Sequence, residues 1–331
     1  MTTIVDETSV LRVLGDAFPG PVRVTKVAAL TGGASAETCA VDVVDGAGVT
    51  HALILRRSAG DPSMVFDPGV RKREEALTQA AGARHGVPAA EVLAIFEGDV
   101  SLGDGYVMRR LEGETIPRKL MRDDRFAGAR KVLIDECARA LAAIHRTPVS
   151  ELPLAPAPSV TSQLDTLESL HRGFGVPVPT FSLVFRWLRS RIPPARESAL
   201  VHGDFRTGNL LVDERGLAAV LDWELVHLGD PLEDLGWFCV PAWRFGSPLP
   251  AGGFGDRASF FAAYERAAGG SVDPDHARFW EVFGTLRWGV ICQWQAFAHL
   301  EGRAPSVERA AIGRRVTEVE LDLLLLLEGK L

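Results

Sequence analysis

The chain contains 331 residues, of which 47% are hydrophobic and 24% are charged, and it carries a formal net charge of −7. This length and apolar content are enough for two domains or lobes with sizeable cores. The negative charge argues against a nucleic-acid or anionic-membrane partner, because both are bound through clustered lysine and arginine side chains.

The cysteines and the amino terminus indicate the compartment. The cysteines lie far apart, with neither C-x-x-C nor zinc-ligand spacing, which predicts reduced and mostly buried thiols. They are Cys39, Cys137, Cys239 and Cys292. The first residues lack the features of a signal peptide, and no apolar run approaches the roughly 20 residues that cross a membrane. We therefore expect a cytoplasmic protein with no membrane partner, whose oligomeric state the sequence does not indicate.

The first third of the chain is rich in predicted strands. Alternating apolar residues predict strands at 22–30, 37–44, 50–57, 92–97 and 106–110. Turn residues at 45–48 join the second and third strands in a hairpin. One helix is predicted at 71–85, and it ends where Pro88 disfavours its continuation.

Helices dominate the remainder. Apolar residues at helical spacing, Leu133, Cys137, Leu141 and Ile144, predict a helix at 127–145. Further helices are predicted at 161–172, 181–191, 257–268, 275–300 and 306–327, and short strands at 199–201, 210–212 and 218–221. The sequence therefore predicts an α+β fold with a small β-rich lobe at residues 1–112 and a larger, mainly helical lobe at residues 113–331.

One segment between the short strands has the form H-x-D-x-x-x-x-N, with His202, Asp204 and Asn209 at the named positions. Asn209 is the only asparagine in the chain, and Asp222 follows it. The pattern is typical of the catalytic loop of kinase-type enzymes. In phosphoryl transfer, Asp204 would accept or orient the proton of the acceptor hydroxyl. Asn209 and Asp222 would coordinate magnesium, which favours oxygen ligands.

Two other interpretations are open at this point. The H-G-D segment could be an ordinary loop, with Asp222 in a turn at the end of a strand. A metallohydrolase could also place H-x-D before a later aspartate, although the chain has no second histidine cluster.

The segments 202–209, 221–223 and 229–234 resemble the aminoglycoside phosphotransferase and choline kinase superfamily, and the resemblance covers nearly the whole chain. It implies a bilobal protein-kinase-like fold. It also implies ATP with Mg2+ as the phosphoryl donor and a small-molecule alcohol as the acceptor.

The resemblance carries roles to single residues of the helical lobe. By position, Asp204 is the catalytic base, and Asn209 and Asp222 hold the metal. His202 and Asp234 resemble family positions that support the loop structurally.

The nucleotide site is expected on two segments of the β-rich lobe. The small-residue turn at 31–36 lies where the superfamily has its phosphate-covering loop, although it is not G-x-G-x-x-G and could be a plain hairpin turn. Segment 107–113 resembles the hinge whose backbone meets adenine. The cofactor-binding residues expected on these segments are Gly32, Gly33, Ser35, Met108, Arg109 and Leu111.

Arg56 stands where the superfamily has a phosphate-holding lysine. Arginine keeps its charge and can hold phosphate, but the two cations are not interchangeable. Strand alternation sends Arg57 to the opposite face of the sheet. The expected carboxylate partner of Arg56 is Glu74 in the following helix, with Glu75 as the alternative. Arg56 could otherwise be a solvated charge at the end of a strand.

The helix at 275–300 is expected to line the acceptor pocket. It is apolar and aromatic rather than acidic, which disfavours a polycationic aminoglycoside. Arg287 could bind an acidic group of the acceptor, with Trp280, Trp288 or Trp294 packing its apolar body. Alternatively, Arg287 pairs with an internal carboxylate and the tryptophans belong to the core.

The predicted function is therefore an ATP-dependent kinase of a small-molecule hydroxyl, with an acidic or lipophilic acceptor. The segments around Asp222 and Arg287 are similar to superfamily branches that are fused to acyl-CoA dehydrogenases and act on hydroxyacyl compounds. The competing hypothesis is a nucleotide-binding pseudokinase that acts as a scaffold, because of Arg56 and the imperfect glycine loop.

Overall fold

A five-stranded antiparallel sheet forms the amino-terminal part of the molecule. The computed structural model describes residues 5–15, 17–30, 36–58, 66–67 and 69–331. The strands are β1 (Arg23–Leu30), β2 (Ala36–Val44), β3 (Thr50–Ser58), β4 (Val92–Asp99) and β5 (Gly103–Arg109), in the order β1-β2-β3-β5-β4. Strand β3 is thus central, and its Arg56 pairs with Thr38 on one side and Tyr106 on the other.

Two helices cover this sheet. Helix α1 (Glu7–Leu14) begins at Asp6, whose side chain accepts the Ser9 N–H at 2.7 Å and so caps the first turn. The buried face of α1 packs into a core cluster with apolar side chains of β2, β3 and β5. Helix α2 (Lys72–Arg84) packs on β4 and β5 and lies beside the central strand.

The rest of the chain is mainly helical. Its helices are α3 (Pro117–Arg122), α4 (Ala127–Arg130), α5 (Leu133–Arg146), α6 (Val160–Gly173), α7 (Pro179–Arg189), α8 (Leu232–Cys239), α9 (Arg257–Ala268), α10 (Pro274–Leu300), α11 (Val307–Gly313) and α12 (Val316–Glu328). The long helix α10 packs against α8, and α5 packs against α9. Together their apolar faces enclose the larger hydrophobic core.

Two small antiparallel sheets lie inside the helical part. Strand β6 (Ala199–Val201) pairs with β9 (His227–Gly229), and β7 (Leu210–Val212) pairs with β8 (Leu217–Val220). Just beyond β8, the Leu221 N–H donates to the carbonyl oxygen of Asn209 at 2.9 Å. These pairings bring the loop after β6 and the segment after β8 to one place.

The predicted α+β class is confirmed, and every predicted strand overlaps an observed one. The helices predicted at 127–145 and 306–327 are each divided in two, as α4 with α5 and α11 with α12. Elements α1, α3, α8 and β9 were not predicted. All eight residues of α8 are buried, so the helix has no polar face to mark its period.

The predicted lobe boundary at residue 112 falls between the last strand of the sheet and α3. There Glu114 forms an isolated antiparallel bridge with Val212. The division into two lobes at this position stays a prediction. All four cysteines are buried and free. Among the described residues, none of the helices has the length and apolar character needed to cross a membrane.

Candidate active site

The loop after β6 is held by a buried carboxylate on α8. Asp234 is fully buried and accepts the backbone N–H groups of His202 and Gly203 at 2.8 and 2.9 Å. The Nε2 atom of His145 lies 3.1 Å from the same carboxylate. Nearby hydrogen-bond donors hold the pKa of Asp234 below its usual value, although burial alone would raise it. The structure therefore places Asp234 as the support of the loop.

His202 and Gly203 shape the start of the loop. The His202 ring is fully buried, and its Nε2 lies 3.1 Å from the carbonyl oxygen of Leu221, beyond β8. Burial lowers the pKa of His202, which favours the neutral ring. Gly203 has a φ of 78°, and a Cβ there would lie 2.4 Å from the carbonyl oxygen of Leu225. Glycine is required where the two segments approach so closely.

The Asp204 carboxylate accepts hydrogen bonds from three side chains. The indole Nε1 of Trp237 donates to Oδ1 at 2.9 Å, and the Asn209 amide donates to Oδ2 at 2.6 Å. The Arg206 Nε lies 3.1 Å from both carboxylate oxygens. The side chain is 14% exposed, so one edge still meets solvent. The carboxylate is oriented by the protein and accessible to a ligand.

Asn209 and Asp222 present oxygen atoms to a shared cavity. The Asn209 amide nitrogen donates to both the backbone carbonyl and the carboxylate of Asp204, which leaves the amide oxygen for a cation. Asp222 has a φ of 65°, an uncommon left-handed conformation for a residue with a side chain. Its side chain is 29% exposed and lines the same cavity as Asn209.

This donor set fits magnesium. One amide oxygen and one carboxylate suit an ion that usually keeps several waters and takes its remaining ligands from phosphate. No group of three or more histidine, cysteine or acidic side chains suited to a metal occurs within the described ranges. Asn209 and Asp222 would hold the ion jointly with a bound nucleotide rather than as a cage made of protein alone.

Arg56 projects from β3 into a cluster of carboxylates. Its Nε lies 2.8 Å from Oε1 of Glu75, and its terminal nitrogen lies 2.5 Å from Asp222 Oδ1 and 2.7 Å from Glu224 Oε2. Burial alone would lower the pKa of Arg56, but the carboxylates, first Glu75 and then Asp222, hold it well above its usual value. Arg56 is thus a paired, half-buried cation rather than a solvated charge.

The expected pairing of Arg56 with Glu74 is not found, and the alternative, Glu75, takes that place. Glu74 instead bonds Arg71 at the start of the same helix. Adjacent residues of a helix point about 100° apart, so only one of the two carboxylates can face β3. Glu75 is fully buried and also accepts the Tyr106 hydroxyl at 2.9 Å.

A second cation completes the cluster. The Lys72 ammonium is buried and lies 2.6 Å from Glu75 Oε2 and 3.8 Å from Glu224 Oε2. With Arg56, the cluster holds two cations and three carboxylates, the third being Asp222. One negative charge is therefore in excess. It suits a divalent cation at the partly exposed Asp222.

A cavity of about 540 Å³ extends from Arg56, Asn209 and Asp222 toward the end of β5. Apolar side chains form much of its wall, and they include Leu30, Ile54, Ala90, Leu211 and Val220. The predicted hinge residues Met108, Arg109 and Leu111 line it as well. This distribution of side chains suits a ligand that has a flat apolar ring at one end and a charged group at the other.

The predicted phosphate-loop residues Gly32, Gly33 and Ser35 lie outside the described residues. The strand residues that flank them, Leu30 and Thr38, pair with each other and line the cavity.

Arg287 lines a second cavity, of about 740 Å³, between α6, α10 and the segment after Asp222. One of its terminal nitrogens lies 3.2 Å from Asp67 Oδ2 and the other 3.9 Å from Glu233 Oε1. Its guanidinium also lies 5.7 Å from the centre of the Trp237 ring. Arg287 therefore has internal carboxylate partners and still faces a cavity.

His227 lies beside the same carboxylate. Its Nε2 is 3.2 Å from Glu233 Oε2. Burial opposes protonation of the ring, but Glu233 outweighs it and raises the pKa of His227 to about 9. At neutral pH two cations, His227 and Arg287, therefore lie on either side of Glu233 in this cavity.

The three tryptophans predicted to bind the acceptor do not line either cavity. Trp280 is buried and its indole N–H donates to Asp230 at 3.1 Å. Trp288 packs against Trp243, with ring centres 4.9 Å apart. Trp294 lies behind Phe66, which does line the Arg287 cavity. Helical spacing placed these residues on α10 correctly but could not tell a core face from a pocket wall.

Sequence reasoning missed four residues at the base and at the cation. Arg206 lies inside the H-x-D-x-x-x-x-N segment, Glu224 belongs to the Asp-Trp-Glu segment, and Lys72 lies in the predicted helix close to Glu75, so their positions in sequence could have indicated them. Trp237 lies 33 residues beyond Asp204 in a fully buried helix, and no sequence signal marks it.

Comparison with known proteins identifies the family. The profile of the phosphotransferase enzyme family, APH, matches residues 26–280, which is most of the chain. The chain belongs to this phosphotransferase family. The predicted superfamily is thereby confirmed, and the matched region contains the loop after β6, the segment after β8 and the Arg56 cluster.

Curated relatives of this phosphotransferase include much longer proteins. Acyl-CoA dehydrogenase family member 10 of Mus musculus is 27% identical over 295 residues, which cover 82% of this chain and 27% of that protein. Acyl-CoA dehydrogenase family member 11 of Gallus gallus is 43% identical over 63 residues, or 18% of this chain and 8% of that protein. The chain thus spans about a quarter or less of the length of these relatives.

Solved structures show the same fold. A Ralstonia eutropha protein assigned to the aminoglycoside phosphotransferases superposes with a TM-score of 0.75 and 23% identity, over 97% of both chains. The aminoglycoside phosphotransferase APH(4)-Ia, in a ternary complex with AMP-PNP and hygromycin B, superposes with a TM-score of 0.59 and 18% identity, over 95% of this chain and 98% of that chain. The fold of this phosphotransferase is therefore protein-kinase-like, as predicted.

Proposed function

We propose that the chain is an ATP-dependent kinase that transfers the γ-phosphoryl group of MgATP to a hydroxyl group of a small molecule. The observation that carries this proposal is the convergence of Arg56, Asn209 and Asp222 at one end of the 540 Å³ cavity, with Asp204 hydrogen-bonded to Asn209 beside them. The proposed base, the metal ligands and the cation then lie together at the end of the cavity where the phosphates of a nucleotide would bind. The nucleotide analogue bound to APH(4)-Ia supports the choice of donor.

The residues of this chain would act by orientation and charge. Asp204, held by its three donors, accepts or orients the proton of the acceptor hydroxyl. Arg56 neutralises negative charge on the phosphates. Magnesium, when bound by Asn209 and Asp222, supplies charge stabilisation to the transferred group.

The backbone of the hinge limits how adenine can bind. The N–H groups of Arg109 and Arg110 donate to carbonyl oxygens of Glu91 and Ala52, at 2.9 Å each. A base in the cavity would therefore meet the Leu111 N–H or the carbonyl groups of this segment.

The acceptor is proposed to be a lipophilic hydroxy compound with an acidic group, such as a hydroxyacyl compound, rather than an aminoglycoside. The 740 Å³ cavity has a largely apolar wall that includes Leu154, Pro156, Leu167 and Phe283. Its carboxylates are balanced in part by cations, whereas a polycationic ligand would favour a strongly acidic pocket. The names of the acyl-CoA dehydrogenase relatives are consistent with an acyl substrate.

The cavity is also connected to the proposed base. Arg287 contacts one face of the Trp237 indole, and the N–H of that indole donates to Asp204. Only the Trp237 side chain would therefore separate an acceptor held near Arg287 from the Asp204 carboxylate.

Transfer of phosphate from MgATP to a panel of alcohols, including hydroxy acids and hydroxyacyl thioesters, tests the proposal. Wild type should phosphorylate at least one member of the panel. Asp204→Ala should lower the rate by about 10²- to 10⁴-fold, the usual contribution of a general base, while MgADP binding persists. If wild type binds nucleotide but neither hydrolyses ATP nor phosphorylates any alcohol, the pseudokinase hypothesis is correct instead.

A further inference from the structure

Arginine at position 56 needs surroundings different from those of a lysine. A guanidinium is planar and presents five N–H groups in a fixed fork, whereas an ammonium presents three on one nitrogen. To hold phosphate from a defined position, the guanidinium must itself be held in place by protein carboxylates.

Two carboxylates other than Asp222 hold the guanidinium of Arg56 at its two ends. Glu75, on α2, lies 2.8 Å from the inner nitrogen, Nε, and holds that end through an ion pair rather than a hydrogen bond. Glu224, in the segment after β8, lies 2.7 Å from the terminal nitrogen that also contacts Asp222. Side-chain exposures of 13% for Arg56 and 15% for Glu224 place their contact in a poorly solvated site.

Glu224 keeps the outer nitrogen paired when Asp222 is engaged elsewhere. Asp222 is a proposed metal ligand, so its carboxylate would turn toward the ion when MgATP binds. Without Glu224, the outer nitrogen of Arg56 would then lose its protein partner in a half-buried site, which is costly. Lys72, 3.8 Å from Glu224, holds this carboxylate from the other side.

We propose that Glu224 is the positioning residue that allows arginine to serve as the phosphate-holding cation at position 56. This inference rests on the proposed kinase function. A lysine at position 56 would not need Glu224, because its single nitrogen can contact Glu75 and a phosphate but cannot span the fork between Glu75 and Glu224.

A double-mutant cycle between Arg56→Lys and Glu224→Gln tests the pairing through the dissociation constant of MgADP, measured by calorimetry. In the protein that keeps Arg56, Glu224→Gln should weaken MgADP binding about tenfold, within the range of coupling between contacting charged residues. In the Arg56→Lys variant the same change should alter binding by less than about twofold. Glu224→Asp keeps the charge but shortens the side chain. If this variant folds, its MgADP affinity should lie between those of wild type and Glu224→Gln.

Glu37→Gln is the matched control. Glu37 bonds Arg57, the next residue of β3, at 3.0 and 2.5 Å on the opposite face of the sheet. Removing this carboxylate changes a similar arginine–glutamate pair outside the nucleotide cavity, and MgADP affinity should not change. If Glu224→Gln has an equal effect on MgADP affinity in wild type and in the Arg56→Lys variant, the positioning role of Glu224 is refuted, but the kinase function is not. A wild type that binds no MgADP refutes the kinase function and this inference with it.

Discussion

Trp237 offers the sharpest test of how Asp204, the proposed catalytic carboxylate, is oriented. Its indole N–H donates to Asp204 Oδ1 at 2.9 Å. The ring is buried, lies 5.2 Å from the Trp243 ring and packs on Gly284, where an added Cβ would lie 2.9 Å from the indole. The indole is therefore fixed in place, and with it the direction of the hydrogen bond.

Trp237→Phe removes this N–H donor and keeps an aromatic ring in the cluster. A hydrogen bond to a charged group contributes about 1.5–3 kcal/mol. Because Asn209 and Arg206 still donate to the same carboxylate, we expect the loss to lie near the lower end, at about 1.5 kcal/mol of transition-state stabilisation. This corresponds to roughly a tenfold lower kcat with little change in KM for ATP.

Steady-state phosphate transfer to the best acceptor of the alcohol panel measures the effect. Trp243→Phe is the matched control, because the buried Trp243 N–H has no hydrogen-bond partner among the residues that the structure describes. It should leave kcat within about twofold of wild type, a change of under 0.5 kcal/mol. An unchanged kcat in Trp237→Phe, or an equal loss in both variants, would show that the indole N–H does not orient Asp204.

Three further predictions concern stability. Asp234→Ala leaves three buried donors without their acceptor and should lower the unfolding free energy in urea by about 4 kcal/mol; a loss under about 1 kcal/mol would contradict its supporting role. Burial opposes protonation of His227, but Glu233 raises the pKa of this ring from 6.5 to about 9. The protonated ring therefore adds its full contribution to the unfolding free energy below pH 6.5, and this contribution disappears as the pH rises through 9. Unfolding free energy measured from pH 6 to 10 should therefore fall by up to about 3 kcal/mol in wild type but not in His227→Gln. Burial raises the pKa of Asp322 from 3.8 to about 6, so its ionisation on unfolding destabilises the fold at neutral pH, and Asp322→Asn should raise Tm by about 2 °C at pH 7.5 and by about half as much at pH 5.

The strands of the sheet could be predicted because their hydrophobic pattern is local. Alternation and a four-residue turn indicated β2 and β3 to within one residue at either end. Elements without such a pattern were missed. Strand β9 has three residues and pairs with β6, which lies far earlier in the chain, while α8 is buried on every side. Their structure depends on contacts that no short window of sequence contains.

The proposed catalytic residues could also be predicted from spacing. Asp204, Asn209 and Asp222 lie on one loop and one hairpin, so their relative positions follow from a short stretch of chain. Glu74 and Glu75 show the limit of such reasoning. Both are adjacent acids on α2, and only the rotation of that helix against β5 determines which of them meets Arg56.

The sequence by itself determined the family, the α+β class and the three oxygen-bearing residues of the proposed base and metal site, because each of these depends on local order along the chain. Tertiary structure decided what surrounds them. Arg56 meets Glu75 and Glu224 from separate elements, and Trp237 reaches Asp204 from a buried helix. Such contacts depend on how helices and strands pack against one another, which is a property of the whole core and not of any segment.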